Sequence, residues 1–101
     1  MPTWDRKIFE KENPTTSTQT NSAPALLDTA ATVNDGPTEV FTVANPSNSQ
    51  SINLYDNDTL TFVVLPDTTL TLAFPITFNN SLKVKNTGVS AIDYSIQFVS
   101  L

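Results

Sequence analysis

The sequence predicts an all-β protein: a small antiparallel β-sandwich of jelly-roll or immunoglobulin-like type, about seven strands, behind an extended N-terminal arm. Three observations predict it. From Ala25 to Leu101 the apolar residues recur at every second position, the period of a strand rather than of a helix. Each run is short and ends in Asn, Asp, Pro or Gly, as sandwich strands do. Before them, Asn13–Pro24 ("NPTTSTQTNSAP") has Ala23 as its only apolar residue and so cannot offset its own ordering entropy by burial. The chain therefore divides into an arm, residues 1–24, and a sandwich, residues 25–101.

Taken in order, a first strand is expected over Leu27–Val33. "NDGP" turns the chain, with Gly36 supplying freedom and Pro37 ending the ladder. Thr38–Asn45 is the second strand, with Val40 on one side and Phe41 and Val43 on the other. "QSINLYD" is the third, placing Ile52 and Leu54 on one face. After the "DND" turn, Thr59–Leu65 directs Leu60, Phe62 and Val64 inward and Thr61 outward. After "PD", "TTLTLAF" directs Leu70, Leu72 and Phe74 inward; Pro75 interrupts, and Ile76 and Phe78 plug one end of the core. A closing hairpin supplies the last two strands, Leu82 and Val84 in one, Ile92, Tyr94, Ile96 and Phe98 in the other, around Asn86-Thr87-Gly88. Threonine is abundant, and a β-branched polar side chain suits the outer face of a half-buried strand. The connections are too short for crossover helices, so pairing is antiparallel.

Charge placement limits the partners. Arg6, Lys7 and Lys11 lie in the first eleven residues, none follows from Glu12 to Leu82, and Lys83 and Lys85 complete the set; the net charge is -5. A nucleic-acid reader needs a basic face to release phosphate counterions, and an anionic membrane surface asks the same, so neither partner is expected. "MPTWDRKIFEKE" carries charges throughout, which argues against an export leader, and no apolar run is long enough to span a bilayer. With no cysteine, neither a disulfide nor a thiolate metal site reinforces a domain this small. Association with a partner or with further copies is the expected extra source of stability.

The arm is read as an anchor line. Trp4 and Ile8 are one helical turn apart, and Phe9 follows, ahead of a polar tether of twelve residues that could reach ~40 Å when stretched. Large apolar groups ahead of such a tether suit burial by another surface or by the chain's own domain. Arg6, Lys7 and Lys11 would meet an acidic partner.

Sites of chemistry are few. "YDND" (Tyr55–Asp58) has the oxygen ligands of a calcium loop but lacks a turn Gly and a following Glu, so a β-turn in which Asp and Asn bond their own backbone is preferred. Asp56 and Asp58 with Asp67 could form an acid pair, yet nothing in the spacing sets them across a cleft. Without His or Cys there is no standard triad, and Gly36 and Gly88 are too far apart for a phosphate loop. No enzyme activity, cofactor or metal is expected. Lys83 and Lys85 face away from Leu82 and Val84. They read either as solvated charges that discourage edge pairing or as a docking patch for an acidic neighbour, such as a second copy of this domain.

A strand ending in Asn45, one ending in Tyr55-Asp56, the Leu-x-Val-x-Asn-x-Gly stretch Leu82–Gly88 and the aromatic strand Tyr94–Phe98 together span Thr38–Val99. In this set the chain resembles small virion proteins of tailed bacteriophages, with Ser81 where a Gly is expected. The resemblance implies a capsid decoration (cement) protein or head-fibre base, made in the host cytoplasm and carried on the capsid surface. It also implies the major capsid protein or another virion protein as partner, a homo-oligomer with a trimer favoured, and an N-terminal arm lying on the shell. A tail or neck adaptor, or a receptor- or carbohydrate-binding tip domain, are the alternatives.

Overall fold

Eight strands, all antiparallel, build two four-stranded sheets in the computed structural model, which describes residues 18–101. They are β1 Thr18–Ala23, β2 Ala31–Asn34, β3 Thr38–Asn45, β4 Ile52–Asp56, β5 Thr59–Val64, β6 Thr68–Phe78, β7 Leu82–Asn86 and β8 Ile92–Ser100. One sheet has the order β1-β8-β3-β6 and the other β2-β7-β4-β5. The pairing is nested: β1 with β8, β2 with β7, β3 with β6 and β4 with β5. The contacts β3 with β8 and β4 with β7 then join these pairs into sheets. One long hairpin, folded over and rolled up, gives this order, and it is the order of a jelly roll.

The core lies between the sheets. Val40, Val43, Phe78, Tyr94 and Ile96 enter it from the first sheet, and Ile52, Leu54, Val64, Leu82 and Val84 from the second; all are almost fully buried. Leu70, Leu72, Ile76, Ile92 and Phe98 pack around them. Fully burying a side chain of this size contributes about 1.5–3 kcal/mol, so these ten carry most of the driving force. Burial pushes the Tyr94 phenol up to about 12, with Asn21, its cross-strand partner, opposing the shift.

Several expectations are corrected. The polar segment read as tether supplies β1, and its last residue, Ala23, is fully buried. Backbone pairing with β8 makes no demand on side-chain polarity, and an edge strand keeps one side towards water. The strand expected over Leu27–Val33 is confined to Ala31–Asn34, because the preceding residues cross from one sheet to the other. The last two strands do not form a hairpin: β7 and β8 lie in opposite sheets. Alternation is the same in both cases, so it could not tell a hairpin from a corner.

Register shifts fall in β2, β3, β5 and β6, and those in β3 and β5 reset the alternation. β3 carries an extra residue at Phe41, seen as a register shift between Val40 and Thr42 against both neighbours. Val40 and Val43 consequently share the core face instead of opposing each other. In β6 the shift falls between Thr71 and Ile76, so Pro75 sits in a bulge of one continuous edge strand, where its missing N–H costs no ladder bond. In β5, Phe62 faces Leu54 while Leu60 faces Tyr55. The extra residue, Thr61, therefore turns Leu60 to the outer face, where it is half exposed. The side chain of Phe74 is outside those described.

Candidate functional site

The outer face of the second sheet gathers the domain's basic charge. On β7, Leu82, Val84 and Asn86 point inward, so Lys83 and Lys85 point out. β7 is an inner strand between β2 and β4, so these lysines guard no edge. Register sets Lys83 beside Tyr55 and Lys85 beside Asn53 on β4. The β1–β2 loop brings Thr29 and Ala30 to one side, and the β4–β5 turn brings Asn57 and Asp58 to the other. Together they enclose a cleft of about 250 Å³.

The groups inside it are held by specific contacts. The Lys85 Nζ lies 5.7 Å from the centre of the Tyr55 ring and donates to the Leu26 carbonyl at 3.3 Å. A cation over an aromatic face is attracted by the ring quadrupole. The Asn53 amide donates to the Tyr55 hydroxyl at 3.3 Å, which leaves the phenolic proton free to be donated elsewhere. Within residues 18–101, Lys83 and Lys85 are the whole basic complement, set against seven carboxylates. The cleft is thus a local positive site on an acidic body, with Asp58 at its rim.

The Tyr55–Asp58 motif divides its work. Asn57, at φ 55°, and Asp58 form a two-residue hairpin turn between Asp56 and Thr59. Asp56 does not cap its own turn: its carboxylate accepts the backbone N–H groups of Asn79, Asn80 and Ser81 at 3.0, 2.9 and 3.3 Å. Partial desolvation works to raise its pKa, but these three donors outweigh it and hold the carboxyl below its ordinary value. Asp67 sits at the far end of β5 from this turn, about 20 Å away at 3.3 Å per residue. The structure therefore does not bring Asp67 to Asp56 and Asp58. No group of three potential metal-ligating side chains forms among the described residues.

Sequence reasoning missed a second feature at the opposite end. Two buried asparagines organise the corners there. Asn45 Nδ2 donates to the carbonyls of Gln50, Val64 and Leu65, and its Oδ1 accepts the Ser47 N–H. Asn86 Nδ2 donates to Ala23, Pro24 and Ser90, and its Oδ1 accepts the Gly88 N–H at 2.6 Å. The Thr87 N–H bonds the Ser51 carbonyl, the Thr87 hydroxyl accepts the Ser51 N–H, and the Leu26 N–H bonds the Gly88 carbonyl, so the corner loops lock together. On these fixed loops stand Leu26, Leu27, Leu65 and Val89, all exposed, with Leu27 and Val89 each 96% exposed. The available signal was an apolar residue inside a turn, as in "NTGVS".

The arm residues Trp4, Arg6, Lys7, Ile8, Phe9 and Lys11 lie outside the described residues. No family model matches the chain, and no curated protein matches it significantly.

Proposed function

We propose that the chain is a non-enzymatic structural protein of a tailed-phage virion, which binds and stabilises the capsid surface as a decoration protein. The observation that carries the docking is the apolar end of the jelly roll, where Leu26, Leu27, Leu65 and Val89 stand in water on loops pinned by Asn45 and Asn86. Fixed, exposed apolar side chains bind with little ordering cost, which suits a permanent contact. The particle itself is inferred from the resemblance of Thr38–Val99 to small virion proteins. In this reading the major capsid protein is the partner, a homotrimer is the assembled form, and Trp4, Ile8 and Phe9 add a second contact with Arg6, Lys7 and Lys11 on acidic shell residues.

The test is decoration of capsids assembled without this chain. Leu27→Ser with Val89→Ser should weaken binding at least ~10-fold while leaving the folded domain unchanged, since both side chains are already in water. Trp4→Ala with Phe9→Ala tests the arm separately. If all four substitutions together leave decoration intact, the reading fails. Sedimentation equilibrium of the free protein tests the trimer. The runner-up, a receptor- or carbohydrate-binding domain, is favoured by one observation: the aromatic, doubly basic cleft on the second sheet.

A further inference from the structure

We infer that the cleft on the outer face of the second sheet is a binding site for a saccharide unit that carries one carboxylate. The inference uses a different surface from the apolar end, so it stands or falls independently of capsid docking.

Three properties of the cleft point to this ligand class. Its size, about 250 Å³, is on the scale of one sugar ring. Its donors are charged and share one face: Lys85 holds its ammonium over the Tyr55 ring, Lys83 lies opposite Tyr55 in register and also lines the cleft, and the Tyr55 hydroxyl proton is free because Asn53 supplies the incoming hydrogen bond. Its acceptors come from the loops that form its walls, Asp58 and Asn57 on the β4–β5 turn and Thr29 on the β1–β2 loop, residue types that suit sugar hydroxyls. A ligand that is all negative charge, such as an acidic peptide or a phosphate, would meet Asp58 as a like charge. One carboxylate among several hydroxyls satisfies both the donors and the acceptors. Tyr55, part of the lining, adds an aromatic ring for the carbohydrate C–H groups.

Lys83 is the sharper probe of the two lysines. Lys85 also ties down the β1–β2 loop through the Leu26 carbonyl, whereas Lys83 lines the cleft without such a loop contact among the described residues.

The experiment titrates the full chain, followed by backbone amide NMR, with four probes: sialyllactose, trigalacturonate, lactose and a short poly-glutamate peptide. Shifts at Tyr55, Asp58, Lys83 and Lys85 with sialyllactose or trigalacturonate are expected, with lactose at least ~10-fold weaker. Lys83→Gln should weaken the acidic saccharide ~10-fold with an unchanged melting temperature, and added salt should weaken it further. Binding of poly-glutamate with no saccharide response would overturn the inference in favour of a protein docking patch. Equal binding of lactose and sialyllactose, or no shift with any probe at millimolar concentration, would also overturn it.

Discussion

The two ends of the jelly roll solve one problem in two ways. At each end the chain must cross between sheets and leave turn backbone without a ladder partner. At the end formed by the β1–β2, β3–β4, β5–β6 and β7–β8 loops, the crossing is held by Asn45 and Asn86, neutral amides that are almost wholly buried. At the other end the β6–β7 crossing is held by Asp56, a charged group at the surface that takes three backbone N–H groups. A buried amide can donate and accept at once, and so closes a corner without a charge to desolvate. A carboxylate only accepts, and must stay near water. The buried solution gives a rigid end that can display apolar side chains. The charged one makes its corner depend on pH.

The largest effect should come from breaking the buried solution. Asn86→Ala removes four hydrogen bonds at a site with no solvent access and leaves the Ala23, Pro24 and Ser90 carbonyls to find other partners. A loss of about 2–4 kcal/mol in urea unfolding is expected. Asn45→Ala should approach it. The double variant should fall short of the sum, because the two corners are joined through Thr87 and Ser51.

A smaller effect sharpens the same corner. A Cβ on Gly88 would meet Gln50 Cδ at 2.5 Å, and Gln50 is a flexible side chain that can swing away. Gly88→Ala should therefore cost less than Asn86→Ala, about 1 kcal/mol by the same measurement, and Gln50→Ala in the same chain should restore most of it.

The smallest effect belongs to the charged end and is conditional on pH. Asp56 has a folded pKa below its ordinary value, so its contribution is present above the ordinary carboxylate range and is lost as pH falls through the lowered value. Asp56→Asn should lower the melting temperature slightly at neutral pH and flatten the loss of stability on acidification. A melting temperature against pH that is parallel in the two proteins would show that the three hydrogen bonds contribute nothing.

Much of this architecture was legible in the residues themselves. Alternation in β4, β7 and β8 named the core face correctly, because a half-buried strand must separate its two sides with a period of two. Turn chemistry placed the breaks, and the two lysines were assigned to the outer face from spacing alone. Alternation failed at Val43 and Leu60, where a bulge adds one residue and exchanges the faces, and it undervalued β1, whose pairing is made by backbone and not by side chains.

Only the tertiary structure decided which strands pair. Local pattern reports the environment of each side chain but not the identity of its neighbour across the ladder, so Leu82–Asn86 and Ile92–Ser100 read as a hairpin although they belong to opposite sheets. The same limit hid the cleft, which joins Tyr55 to Lys83 from strands far apart in the chain, and the apolar end, which assembles leucines and a valine from three loops. Sequence alone determined an all-β, acidic chain of alternating strands, because burial and turn geometry are local. The nested pairing of eight strands, and every surface that pairing creates, is a long-range choice made by the packed whole.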